Sequence, residues 1–258
     1  MKTKQIADYI SNWLIHYSHK SNTKGFVVGI SGGIDSALTS TLCAKTGKDV
    51  CCLIMPIHQN KDELDRSIAH GAWLQTNFPK VTVELIDLSE TFDVFSRTLP
   101  TNIANQLVLA NARARLRMTN LYAFAGAKNM LVTGTGNKIE DFGVGFYTKY
   151  GDGGVDLSPI ADLSKSQVFA ISKHLDIIKE IQDASPTDGL WEDGRSDEDQ
   201  LGATYNELEW AMSQHQISNK NTFESRQKEV FNIYKRYHDA NLHKMLPIPV
   251  CEIPLKLL

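Results

Sequence analysis

Two serines, two glycines and a carboxylate fall within one short stretch, Ser31-Gly32-Gly33-Ile34-Asp35-Ser36, directly after the apolar run Phe26-Val27-Val28-Gly29-Ile30. Glycines permit a tight turn, and successive backbone N–H groups then point into one concavity that suits an anion. A helix opening at this point adds about half a positive charge. With the hydroxyls of Ser31 and Ser36 as further donors, the loop fits a pyrophosphate. Asp35 would repel such a ligand unless a divalent cation lies between them, and Mg²⁺ bridging carboxylate to phosphate is the usual solution. A plain strand-to-helix turn capped by Asp35 is the simpler alternative, but it does not ask for the paired glycines and serines. Gly29-Ile30-Ser31-Gly32-Gly33 also satisfies G-x-S-x-G, the nucleophile elbow; that motif needs an earlier strand and loop, whereas this one follows the first strand. The G-x-x-x-x-G-K-[ST] and G-x-G-x-x-G patterns are absent.

The elements around the loop follow from periodicity. Ile6, Ile10, Trp13, Leu14 and Tyr17 have helical spacing and predict an opening amphipathic helix. Phe26–Ile30, Val50–Met55, Val81–Ile86 and Met130–Thr133 read as buried strands. Helices are expected near Asp35, near Asn60 and near Leu88, with a long Ala-rich one over Ile103–Gly126. Alternation of this kind predicts an α/β fold, a doubly wound, mostly parallel sheet of about five strands flanked by helices, with ligands at the strands' carboxyl ends. From Gly134 to Asp162 the chain is Gly-rich without clear periodicity, and a loop this long in a compact domain is usually functional or disordered. Ser164 and Gln167 have capping-box spacing, placing Lys165 at a helix start. The Pro-, Gly- and Asp-rich stretch Ala184–Asp197 reads as a lid, and helices over Ala203–Gln214 and Thr222–Ala240 precede a Pro-rich tail.

Composition bounds the rest. The 258 residues read as one domain spanning 1–258, and 27 Lys+Arg against 30 Asp+Glu gives a net charge of −3, no basis for gripping nucleic acid. Cys43, Cys51, Cys52 and Cys251 show no metal-ligand spacing and suit a reducing, cytoplasmic setting. No stretch is long enough to span a membrane, and none reads as a secretory leader.

Ser-Gly-Gly-x-Asp-Ser after a first strand resembles the signature of the N-type ATP pyrophosphatases, Rossmann-like proteins of the adenine nucleotide alpha-hydrolase type. Three further segments resemble the ammonia-dependent NAD synthetases within that group: Asn111–Met118, Gly134-Thr135-Gly136-Asn137-Lys138-Ile139-Glu140, and Phe146-Tyr147-Thr148-Lys149-Tyr150-Gly151-Asp152-Gly153-Gly154-Val155-Asp156. The resemblance runs from the first helix to His243-Lys244. It implies that Ile30, Ser31, Gly32, Gly33, Ile34, Asp35, Ser36 and Ala37, with Thr135, Lys165 and Thr187, bind ATP. It gives Mg²⁺ to Asp35 and Glu140, Asp141 being an adjacent alternative, and the chemistry to Asp35, Ser36 and Lys165. Arg115, Lys149, Asp156, His243 and Lys244 fall to deamido-NAD, a mostly basic set for a diphosphate and a carboxylate. Thr135-Gly136-Asn137 stands where other members carry Thr-Asp-His, so no ammonia-handling role is carried over.

On the Ala-rich helix the stripe Ala110, Ala114, Met118, Leu121 and Ala125 leaves Arg113 and Arg117 on one flank and Arg115 on the other. Arg113 and Arg117 are expected on a solvated face; for Arg115 an ion pair at a helix interface is the plainer alternative to substrate binding. Family members are homodimers with the substrate site at the interface, and the stripe could pack on a second copy. The resemblance implies adenylation of the nicotinate carboxylate by ATP, release of pyrophosphate, and displacement of AMP by ammonia, which gives NAD. Closure of the loops around Tyr147 and Trp191 would keep water from the adenylate. Free ammonia is the expected nitrogen donor, with no room for a glutaminase domain. Two rivals keep the same loop: a related AMP-forming ligase acting on another carbonyl, and a nucleotide-binding regulator that does not split ATP.

Overall fold

The computed structural model describes residues 1–184, 197–217 and 223–258. The apolar runs form four parallel strands, β1 (Gly25–Gly29), β2 (Asp49–Ile54), β3 (Val81–Leu85) and β4 (Leu131–Val132), in the order β3-β2-β1-β4. Because side chains alternate across a strand, each run feeds two cores. Phe26, Val28, Val50 and Cys52 join one apolar cluster and Val27, Cys51 and Leu53 another on the opposite face. The first cluster is closed by α1 (Thr3–Lys20), α2 (Ile34–Lys45) and α6 (Lys165–His174) through Leu14, Leu38 and Ile171; the second by α4 (Ser89–Thr98) and α5 (Gln106–Lys128) through Phe92 and Ala125. A buried side chain of this size is worth roughly 1.5–3 kcal/mol. Helices on both faces make the sheet doubly wound, as expected.

The expectation of about five strands gives way to four among the described residues. The neighbouring position beside β4 holds only an isolated parallel bridge, Thr133 with Leu157. Gly151, Gly153 and Gly154 precede Leu157 and Pro159 follows it, so there is little residue material for a ladder, and Pro159 has no N–H to give.

Helix starts agree with the sequence to within a few residues. Asn60 accepts the Asp62 N–H ahead of α3 (Lys61–Asn77), and Asn105 accepts the Val108 N–H ahead of α5, which therefore begins later than Ile103. Gln167 accepts the Ser164 N–H at 3.0 Å, completing the box at α6. A second core gathers α9 (Tyr205–Gln216) and α10 (Ser225–Met245), which runs beyond the predicted Ala240, around Leu208, Met212 and Tyr234. The short helices α7 (Lys179–Gln182) and α8 (Asp197–Leu201) flank the stretch read as a lid, whose residues 185–196 lie outside those described.

One element is not in the sequence reading. Within the Gly-rich span, Lys138–Val144 forms a wide π-helical turn, begun by the buried Asn137, whose Oδ1 accepts the N–H groups of Ile139 and Glu140 at 3.0 and 3.1 Å. Ile139 and Val144 anchor the turn in the second core.

Candidate active site

Strand order reverses between β1 and β4, so the crevice outside their carboxyl ends is where such sheets bind ligands. The loop Ser31–Gly33 leaves β1 at that crevice and hands over to α2. Gly32 takes φ +82, and a Cβ there would fall 2.4 Å from the Glu63 carbonyl oxygen, so the loop is pressed onto α3 in a way only glycine allows. Ser36 is buried and braces the turn: its Oγ accepts the Ser31 N–H at 3.2 Å, lies 3.0 Å from Ser31 Oγ and donates to the Gly33 carbonyl at 3.0 Å. The hydroxyl is thus engaged with its own loop. Ile30, Ile34 and Ala37 point into the core and fix the loop from behind.

The first N–H groups of α2 have no intrahelical partner, and Gly33, Asp35 and Ser36 at that helix start line the crevice, an arrangement that favours an anion.

Across the reversal, the segment after β4 supplies the opposing wall. Asn137 Nδ2 donates to Asp35 Oδ1 at 3.2 Å, tying the two loops together. Lys165, at the first position of α6 and only 4% exposed, donates to Asp35 Oδ2 at 2.5 Å and to Glu140 Oε1 at 3.0 Å. Tyr205 donates to the same Glu140 oxygen at 2.6 Å, and its ring centroid lies 4.8 Å from Lys165 Nζ. Burial pushes the Asp35 carboxyl up, although Lys165 pulls against it. Burial also works on Glu140, but there the Lys165 charge and the Tyr205 hydrogen bond prevail and hold the carboxyl below its ordinary range. Burial would lower Lys165; the two carboxylates outweigh that and raise it, so its ammonium stays charged.

Asp141 lines the same cavity, but among the described residues it makes no ion pair with Lys165. Its carboxyl packs against Gly136, where a Cβ would lie 2.1 Å from each oxygen, and burial together with the charges of Glu140, Asp152 and Asp35 pushes it well above the usual carboxylate range.

Two cavities share this crevice. The first, about 190 Å³, is lined by Ser31, Gly33, Asp35, Glu140 and Lys165. The second, about 270 Å³, is more apolar and runs under the strand ends past Ile30, Met55, Met118 and Leu121. Ser31, Gln59, Thr135 and Asp152 line both. A polar end with N–H donors joined to an apolar end has the shape of a phosphate site beside a base and ribose site.

Arg117 corrects the expected solvated face. Its Nε donates to the Met55 carbonyl at 2.9 Å and its Nη2 to Gln59 Oε1 at 3.0 Å, and burial lowers it to about 10. Arg113 lies over the Phe92 ring, 5.0 Å from its centroid. That flank of α5 covers the sheet, so neither arginine stands on a solvated face. Arg115, on the other flank, is exposed, and its Nε donates to the Lys149 carbonyl at 3.3 Å.

Four of the five residues assigned to the second substrate form a connected group. Lys149 Nζ donates to the His243 carbonyl at 2.8 Å, and Lys244 Nζ to the carbonyls of Gly145 and Tyr147 at 2.8 Å each. The loop around Tyr147 is thereby tied to the end of α10. Asp156 stands apart: it accepts Tyr122 OH at 3.0 Å and the Val132 N–H at 2.8 Å, and so sits at the outer edge of the sheet. Tyr122 is two turns along α5 from Arg115, which puts Asp156 on the same outer face. Thr187 and Trp191 lie outside the described residues.

Asn137, Tyr205, Arg117 and Gln59 are site residues that sequence reasoning missed. Asn137 lay within a quoted motif, and Tyr205 follows the Thr204/Glu207 capping box; neither signal points to the partner across the crevice.

A doubly wound parallel sheet with an anion loop at its reversal and a buried Lys–Asp–Glu cluster beside it defines a nucleotide-binding α/β enzyme. More narrowly, residues 6–247 match the NAD synthase family, and the chain belongs to it. It is 39% identical to the NH(3)-dependent NAD(+) synthetase of Mycoplasmopsis pulmonis over 213 residues, 82% of this chain and 80% of that protein. Its fold is similar to that of an NMN synthetase from Francisella tularensis, with a TM-score of 0.84, 31% identity and 99% of each chain covered. An NH3-dependent NAD synthetase from Campylobacter jejuni is similar at a TM-score of 0.80 and 26% identity, over 98% of this chain and 100% of the other.

Proposed function

We propose that the protein joins ammonia to the nicotinate carboxylate of deamido-NAD at the expense of ATP, yielding NAD, AMP and pyrophosphate. The observation that carries this reading is the joined pair of cavities at the β1/β4 reversal, phosphate-shaped at one end and apolar at the other, in a chain of the NAD synthase family.

A free carboxylate is a poor acyl donor because oxide would have to leave. A carboxylate oxygen attacks the α-phosphorus, the bond from that phosphorus to the β-bridging oxygen breaks, and pyrophosphate departs with the bonding pair. Ammonia then adds to the activated carbonyl, a proton is lost and AMP leaves. Positioning and electrostatics do most of this work. In this reading the Ser31–Ser36 turn and the start of α2 hold the phosphates, and Lys165 follows the charge that develops on them. Thr135 stands at the junction of the cavities and Arg117 fixes the strand ends beneath the base.

Asp35 and Glu140 would hold Mg²⁺. The two carboxylates already converge on the Lys165 ammonium, and with phosphate oxygens and water they would supply the oxygen-only set that Mg²⁺ takes. When bound, the metal would draw charge from the departing phosphoryl oxygens.

Arg115, Lys149, His243 and Lys244 receive the acceptor, with Asp156 further along the outer face of α5. Of the 23 residues of α5 only Ala110 and Ala125 are buried, while Leu107 and Tyr122 are exposed. A second copy covering that face, giving a homodimer with the acceptor site at its seam, accounts for both. The buried free thiols of Cys43, Cys51 and Cys52 suit the cytoplasm.

A second reading has its own support. The Francisella tularensis protein of similar fold is named an NMN synthetase, and the two chains cover each other almost completely. Nicotinate mononucleotide, the acceptor without the adenylate half, would undergo the same chemistry. Incubating the protein with ATP, Mg²⁺, ammonium and each acceptor decides between them. AMP and NAD from deamido-NAD, at a kcat/KM above that for the mononucleotide, is the expected result; preference for the mononucleotide establishes the second reading, and AMP from neither overturns both.

A further inference from the structure

Arg66 has no part in the reading so far, yet it stands at the phosphate end of the crevice. It projects from α3, its Nε donates to the Gly32 carbonyl at 3.3 Å, and its side chain lines the same cavity as Ser31, Gly33 and Lys165. The contact between Gly32 and the Glu63–Ser67 turn of α3 fixes how far Arg66 sits from the loop.

The charge around it is lopsided. Asp35, Glu63, Glu140, Asp141 and Asp152 line this cavity, against Lys165 and Arg66. Lys165 is paired here with Asp35 and Glu140. Glu63, one turn before Arg66 on α3, accepts instead from Gln59 Nε2 at 2.7 Å. Among the described residues no carboxylate pairs with Arg66, although several are near. A half-buried guanidinium that keeps its Nη groups clear of such carboxylates is positioned for an anion from outside the protein, and its planar fork matches two phosphoryl oxygens.

We propose that Arg66 binds the pyrophosphate half of ATP, contacting the β- and γ-phosphoryl oxygens across the mouth of the loop. The inference rests on the adenylating reading for its role in turnover. As the bond from the α-phosphorus to the bridging oxygen breaks, the electron pair stays with pyrophosphate, and Arg66 neutralises the added charge without any proton moving. AMP, which keeps only the α-phosphate, has no contact with it. This separates ligand binding from a merely structural hold on Gly32.

The test is calorimetric binding of magnesium pyrophosphate and of AMP to the full chain and its Arg66→Ala and Arg66→Lys variants. The expected result is pyrophosphate affinity weakened about ten- to a hundredfold by Arg66→Ala, partly restored by Arg66→Lys, with AMP affinity unchanged. Unchanged pyrophosphate affinity, or equal weakening of both ligands, overturns the inference; equal weakening would mean that Arg66 only props the loop. Variants that discriminate in this way, with a wild type that forms no AMP in turnover assays, leave the inference standing and defeat the adenylating reading instead.

Discussion

Replacing Lys165 by Met keeps its length and removes its charge, leaving two carboxylates in a space built around an ammonium. Lys165 is 5% exposed at its side chain, and Asp35 and Glu140 are each 16% exposed, so water can replace little of what is lost. Asn137 still donates to Asp35 and Tyr205 to Glu140, one hydrogen bond each. Breaking a buried pair by deleting one partner costs about 3–5 kcal/mol, chiefly from the stranded charge. Here two charges are stranded, so the upper half of that range is expected. The assay is urea unfolding in excess chelator, so that no divalent cation takes the place of the ammonium. The double variant Lys165→Met/Glu140→Gln supplies the internal control: one carboxylate disappears, the amide oxygen still accepts from Tyr205, and about 1–3 kcal/mol should return. Lys165→Met within 1 kcal/mol of wild type would refute the claim that this ammonium holds the crevice together, and so would failure of Glu140→Gln to restore stability in that background.

Other consequences follow from single residues. Gly136→Ala puts a methyl group 2.1 Å from both Asp141 oxygens; a stability loss of about 1–3 kcal/mol is expected, largely relieved in Gly136→Ala/Asp141→Ala, as read by thermal unfolding. His70 is fully buried behind α2, with its Nε2 3.0 Å from Ser40 Oγ, and burial pushes it down to about 4. The unfolded chain, with its histidine near 6.5, binds that proton more tightly, so stability falls with falling pH between about 6.5 and 4, by at most about 3 kcal/mol. His70→Gln should flatten that part of the urea-unfolding profile; an unchanged slope would contradict the assignment. Arg115→Ala and Lys149→Ala should raise the KM for deamido-NAD about tenfold or more while leaving the KM for ATP unchanged, and a matching rise for ATP would place both residues elsewhere.

Much of the fold was legible because buried parallel strands and helix caps have local signatures. Phe26–Ile30, Val50–Met55 and Val81–Ile86 are apolar runs bounded by turn residues, and Asn60 and Ser164 carry cap chemistry in their own side chains. The loop at Ser31–Ser36 was legible for the same reason, since paired glycines and serines act within one turn. Lys138–Val144 was not, because a π-helical turn is set by long-range anchoring of Ile139 and Val144 and leaves no periodic trace. Arg117 fails differently: helical spacing fixed the angle between it and Arg115, but not which flank the sheet would cover. Tyr205 meets Glu140 from 65 positions along the chain, and Asn137 meets Asp35 from 102, distances at which propensity carries no information. The missing fifth strand belongs here too, since Leu157 is apolar but its pairing with β4 stops at one bridge, between the glycines at 151–154 and Pro159.

The central claim is that a substrate carboxylate is activated by transfer of AMP, and oxygen tracing tests it most directly. Deamido-NAD labelled with ¹⁸O in its nicotinate carboxylate is turned over with ATP, Mg²⁺ and ammonium, and the products are weighed by mass spectrometry. One labelled oxygen in AMP and none in pyrophosphate is the predicted result, because the carboxylate oxygen that attacks the α-phosphorus leaves with it. Label in pyrophosphate or in inorganic phosphate, or AMP formed without label, would contradict the account.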